Sequence, residues 1–213
     1  MKFSILIFLL ILYGIGVFAQ SPEKFESALM EMKGGAEVVY SSEKHSFTLD
    51  IISDKIEPLN KPGYVLVDNK TLQFVLIPNA ALNNSPDTVL QKSQLQAYTK
   101  YELDYIKNEL KLNYQNLHYE WLFINNKVFL LWYYDMPPAK TNAAPKNGNT
   151  ITVAEKQINL SSMCFGEVLN LNTPFLHSDS FDDDKALLVK VAQTLKQNDF
   201  KIDFNELYKK LHQ

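Results

Sequence analysis

His118, Glu120 and Tyr133 are the side chains whose types and spacing come nearest to a reaction centre: an imidazole, a carboxylate and a phenol that one surface could present for general acid–base hydrolysis. They meet if Asn125-Asn126 is a two-residue type I′ turn, since Asn tolerates the positive φ such a turn needs. Ile124 then faces Lys127, His118 faces Tyr133, Glu120 faces Leu131 and Leu122 faces Phe129. The plainer reading is three outward-facing strand residues. Tyr98, Tyr101 and Tyr105, spaced i, i+3 and i+7 on a helical pattern, could form an aromatic platform for an apolar ligand, or simply one wide core face.

Other chemistry finds less support. The run Asp179-Ser180-Phe181-Asp182-Asp183-Asp184 fails as a calcium loop, with Asp184 where the sharp turn needs Gly and Lys190 where the bidentate Glu belongs. Acidic residues beside a helix N-terminus explain it without a metal. His45, His118, His177 and His212 are scattered, with no metal-ligand spacing. Ser21 and Ser41 head S-x-x-K matches that lack their companion motifs, and no G-x-S-x-G elbow occurs. A Cys–His pair of Cys164 with His118 or His177 is conceivable, but Met163 and Phe165 point to a buried, inert thiol. With 7 glycines and no phosphate-cradling loop, no cofactor and no metal are expected.

The elements that must position these residues follow from periodicity. A short helix is expected over Pro22–Lys33, where Phe25, Leu29 and Met32 form a stripe stopped by Gly34-Gly35. Strands are expected at Glu37–Tyr40, His45–Ile52, Tyr64–Val67 and Leu72–Ile77. A helix follows from about Ser85 to Leu112, facing the core through Leu95, Leu103, Ile106 and Leu110. In the aromatic hairpin 114–135, Leu117, Tyr119, Trp121, Phe123, Val128, Leu130, Trp132 and Tyr134 form the expected core face. The segment 136–149 (MPPAKTNAAPKNGN) reads as a flexible loop. Strands Ile151–Leu160 and Met163–Leu171 precede a helix Asp182–Lys196, packed through Ala186, Leu187, Val191 and Leu195, and a last short helix within Phe200–Leu211.

Composition bounds the rest. Lys2, the apolar run Phe3–Phe18 and Val17-Phe18-Ala19 read as a secretory signal peptide over residues 1–19, leaving one domain over 20–213, exported to a periplasmic or extracellular space. That leader is too short, and lacks the flanks, for a stable membrane anchor. All 21 basic side chains are Lys, so the bidentate Arg clamps of phosphate chemistry are missing. A net charge of −3 without basic clustering argues against nucleic acid. A single Cys cannot form an internal disulfide.

Early strand pairs, a long amphipathic helix, an aromatic hairpin, more strands and terminal helices make an α+β domain, an antiparallel sheet with helices packed on it. Its strand His45–Ile52, helix Gln91–Leu112, hairpin Tyr114–Asp135 and helix Asp182–Lys196 resemble the PsbP-like family in element order. That resemblance implies an accessory or binding module, and no site motif is matched through which functional residues could be carried over. The expected function is an exported, non-enzymatic binding or accessory domain, with proteins ahead of small molecules as partners. The alternatives are a carrier of a small apolar ligand, with a cavity of about 300 Å³ or more beside the tyrosine row, and a hydrolase built on His118, Glu120 and Tyr133. N-terminal sequencing of the protein from its own host is expected to start at Gln20; a retained Met1 would overturn the leader reading.

Overall fold

The computed structural model describes residues 23–78, 85–137, 154–177 and 179–212. The leader, the polar loop around Asn83-Asn84 and most of the 136–149 segment lie outside them. In chain order the first strands are β1 (Glu26–Met32), β2 (Gly35–Ser41), β3 (Ser46–Ile52), β4 (Ile56–Pro58), β5 (Tyr64–Val67) and β6 (Lys70–Ile77). Helix α1 (Thr88–Asn108) leads into β7 (Gln115–Ile124), β8 (Lys127–Asp135), β9 (Ala154–Cys164) and β10 (Glu167–Leu176). Helix α2 (Phe181–Gln193), β11 (Lys196–Asn198) and α3 (Phe204–Leu211) close the chain.

Two antiparallel sheets result: a small one of order β1-β2-β3-β11 and a seven-stranded one of order β4-β5-β6-β10-β9-β8-β7. One face of the large sheet packs on the small sheet and α2. Phe47, Leu49 and Ile51 meet Phe129, Leu131, Ile158, Leu160, Leu169 and Leu171 there, with Leu188, Val191 and Ala192 from α2. The other face packs on α1 through Leu95, Tyr98, Leu103 and Ile106. The protein is therefore α+β, with its antiparallel sheet covered on both sides.

Three hairpins turn on two residues of positive φ: Asp68-Asn69 (51° and 67°), Asn125-Asn126 (48° and 62°) and Phe165-Gly166 (50° and 86°). Mirror-image turns of this kind match the twist of the strands they join. At Asn125-Asn126 the expected register holds, with Ile124 opposite Lys127, His118 opposite Tyr133 and Glu120 opposite Leu131.

Four expectations need correction. Residues 26–32 form β1, paired with β2, and not a helix. Phe25 and Leu29 are four apart, a spacing that satisfies the strand period of two as well as the helical one. The hairpin's expected core face is buried only on β8: Tyr119 is 52% and Phe123 64% exposed, because β7 is the sheet's edge and α1 lies over β8 and β9. Its opposite face is also core, with Phe129 and Leu131 fully covered. In α1 Leu110 falls beyond the helix end and is half exposed. In α2 the buried stripe runs through Asp184, Leu188, Val191 and Ala192, leaving Ala186 exposed.

A β-branched side chain in the left-handed region costs about 1–2 kcal/mol. Asn126→Val is accordingly expected to lower the unfolding free energy by about that much and Asn126→Gly to leave it equal or higher, as read from urea melts. Equal melts for all three would show that the turn does not set the hairpin.

Candidate ligand-binding site

Strands β6, β9 and β10 alternate in the way a sheet with one wet face does. Leu72, Phe74, Ile158, Leu160, Leu169 and Leu171 point into the large core. Gln73, Gln157, Asn159, Ser161, Asn170 and Asn172 take the other face, and α1 lies across that face. Register lines several of them up: Trp132 stands opposite Asn159, Asn159 opposite Asn172, Asn172 opposite Gln73 and Gln73 opposite Tyr64. That row crosses β8, β9, β10, β6 and β5 beneath the helix.

Between this row and α1 is a cavity of about 410 Å³. Tyr98, Glu102 and Ile106 reach it from the helix, Tyr64, Trp132 and Tyr134 wall it with rings, and the amides of Gln73, Gln157, Asn159, Asn170 and Asn172 line its floor. Tyr98 meets Trp132 edge to face at 6.4 Å, while Trp132 and Tyr134 stack at 6.1 Å.

The floor is a directed hydrogen-bond chain. Trp132 Nε1–H donates to Ser161 Oγ (3.0 Å), the Ser161 hydroxyl donates to Asn170 Oδ1 (2.7 Å), and Asn170 Nδ2 donates to Asn159 Oδ1 (3.3 Å). An indole nitrogen can only donate. Ser161 therefore accepts from it, and its own proton goes to Asn170 Oδ1. The chain ends at Asn159 Nδ2, a buried donor without a hydrogen-bond partner. A second chain runs from Gln157 Nε2 to Asn172 Oδ1 (3.0 Å) and from Asn172 Nδ2 to Gln73 Oε1 (2.8 Å). Thr173 Oγ1 and Asp184 Oδ2 are also buried without partners, but neither lines this cavity.

Among the described residues, neither Lys nor His lines the cavity. Burial lifts the Glu102 carboxyl above its ordinary value of 4.5. Burial, reinforced by the Glu102 carboxylate, raises the Tyr98 phenol and pushes Tyr134 up to about 12. The tyrosines thus stay neutral, and Glu102 is drawn toward its acid form.

No family model matches the chain, and no curated protein is similar to it. Among solved structures, that of cyanobacterial PsbP (CyanoP) from Synechocystis sp. PCC 6803 matches with a TM-score of 0.41 and 13% identity, covering 77% of this chain and 93% of that one.

The residues singled out from sequence are placed as follows. His118, Glu120 and Tyr133 do share one face of the β7–β8 hairpin. His118 stacks on Tyr133 at 4.8 Å, Phe181 meets Tyr133 edge-on at 4.7 Å, and Glu120 accepts from Lys185 Nζ at 2.6 Å. These contacts fasten α2 to the hairpin, and none of the three residues lines the cavity under α1. The tyrosine row divides: Tyr98 is buried at the cavity, whereas Tyr101 and Tyr105 are 66% and 44% exposed. Cys164 is fully buried, and desolvation pushes its thiol up to about 11. Among the described residues, no three His, Cys, Asp or Glu side chains gather to hold a metal ion. The amide floor escaped notice in the sequence because its residues occupy the polar half of an alternating pattern. A signal was present: Gln157, Asn159, Ser161, Asn170 and Asn172 are all uncharged, whereas a wet face would carry Lys and Glu.

Glu102 supplies a pH test. Its folded pKa lies above the unfolded one, so its contribution to stability is whole below the unfolded value of about 4.5 and is lost as pH rises through the folded value. Glu102→Gln is expected to match the wild type in thermal melts near pH 4 and to exceed it at pH 7. An equal gap at both pH values would place Glu102 in water.

Proposed function

We propose that the protein is an exported, non-enzymatic binding domain that holds one small molecule in the cavity between α1 and the large sheet. One observation carries this reading: a cavity of about 410 Å³ under α1 is walled by the rings of Tyr64, Trp132 and Tyr134 and floored by uncharged amides. Placing a few oriented polar groups among aromatic walls is the usual construction of a small-molecule site. The amide floor turns the expectation of an apolar cargo toward a polar one. Export is supported by Lys2, the apolar run Phe3–Phe18 and the small residues before Gln20. Among the described residues no helix is long and apolar enough to cross a membrane.

Protein association has its own support on β7. This strand is an edge of the large sheet, and Tyr119 and Phe123 stand exposed on it, with Lys92 Nζ 5.1 Å above the Phe123 ring. Unpaired edges bearing apolar side chains are where further strands add.

Native mass spectrometry of the protein from its own host's exported fraction separates the two readings. The expected result is a small adduct on the monomer, absent from a Val75→Trp variant that fills the cavity from β6 while keeping the wild-type melting temperature. A co-purifying protein with no small adduct would favour the β7 edge instead.

A further inference from the structure

Taking the cavity under α1 as a small-molecule site, we infer that its cargo carries an ammonium group, which the Glu102 carboxylate holds beside the rings of the cavity wall. The helix sets the geometry. Tyr98, Glu102 and Ile106 follow one another at i, i+4 and i+8, so they share one face of α1, and all three line the cavity. Tyr98 and Ile106 are buried there, whereas Glu102 is half-buried and keeps part of its surface accessible. Tyr64, Gln73 and Gln157, also half-buried, line the same space.

Charge gives the class of cargo. The carboxylates of Glu120, Asp135 and Asp184 each hold a lysine of this chain. Among the described residues Glu102 holds none, although it is the charged side chain at the cavity. Burial works against its negative charge, and a cation brought by the cargo would offset that cost. The rings act in the same direction, because aromatic faces carry negative potential and attract ammonium groups. The Tyr98 and Tyr134 phenols stay neutral and add oxygens that accept from N–H. Tyr64 already has a cation over its ring, Lys61 Nζ at 4.5 Å from the centroid, although Lys61 does not line the cavity. An anion would meet the Glu102 carboxylate with like charge, and a neutral ring would leave that carboxylate without a counter-ion. A bare metal ion calls for several convergent ligands, and among the described residues no three His, Cys, Asp or Glu side chains gather. The cargo class is therefore a small organic amine.

The test titrates the intact protein at pH 7 with three rings of matched size, read by ligand-observed NMR: cyclohexylammonium, cyclohexanol and cyclohexanecarboxylate. Cyclohexylammonium is expected to bind at least about tenfold more tightly than either of the others, a factor corresponding to about 1.4 kcal/mol. Glu102→Gln is expected to bring the ammonium and the alcohol to equal affinity while the alcohol's own affinity is kept. Val75→Trp is expected to abolish binding of all three. A Glu102→Gln variant that loses ammonium and alcohol in the same proportion gives Glu102 a structural role and overturns the inference, as does ammonium binding that survives Val75→Trp. Three rings bound equally overturn the charge selection and leave the small-molecule reading standing. If no ring binds at millimolar concentration, the host-derived adduct decides. An amine upholds the inference, a neutral or acidic molecule overturns it alone, and a missing adduct overturns both readings.

Discussion

Covering both faces of the large sheet obliges each polar side chain beneath α1 to find its partner inside the protein. Ser161 is fully buried, and Asn159, Asn170 and Asn172 are nearly so. Each unpaired group in such a place costs about as much as a hydrogen bond contributes, or more. The chain answers with side-chain bonds that run from strand to strand across the sheet, in the same direction as the backbone ladder. One end of the chain is anchored by an indole nitrogen that can only donate. Cooperative networks of this kind make a core unique as well as stable, because an amide with one permitted orientation leaves one permitted packing. The uncharged amide floor of the cavity is a consequence of that constraint.

The opposite face shows what the same strands do without such demands. There Ile158, Leu160, Leu169 and Leu171 pack on Leu49, Ile51 and α2 in a continuous apolar core. One buried ion pair interrupts the packing on that side, between Lys70 and Asp184. Burial raises the Asp184 carboxyl despite the lysine beside it, so the pair is poor support for stability and a better fixture for the first turn of α2. The pairs Lys100–Asp104, Lys201–Glu43 and Lys209–Glu206 are exposed and contribute little. Apolar burial on both sides of the sheet therefore carries the fold.

Much of this was readable from the sequence where local chemistry decides the outcome. Asn125-Asn126 dictated a turn, the turn dictated the register, and His118 came to face Tyr133. Asp203 and Glu206 have capping-box spacing in the chain, and Asp203 accepts from the backbone of Glu206 at 3.1 Å. Readings failed where two physical rules share a pattern. Phe25 and Leu29 fit a strand as well as a helix, and the β1–β2 ladder decided between them. Asp184 begins the buried stripe of α2, and hydrophobic periodicity cannot see a carboxylate. The amide floor was legible only as the polar half of an alternation, since nothing local says whether a helix will lie over it. Which face of β7 is wet was likewise a tertiary matter, settled by the reach of α1.

The row beneath α1 also has an order of assembly. Strands β7 to β10 are neighbours both in sequence and in the sheet, so their pairings close over short stretches of chain. The bond from Asn172 to Gln73 instead spans 99 residues. It forms only when β6 docks on β10, a non-local closure that carries a larger loop entropy. The Gln73 end of the cavity floor, with Tyr64, Thr71, Val75 and Ile77 beside it, thus belongs to the slow, long-range step of folding, and a nascent meander of β7 to β10 offers only part of the site. Occupancy of the cavity would report on completion of the whole sheet, and a bound molecule would lend its free energy to the fully closed chain, not to any fragment of it.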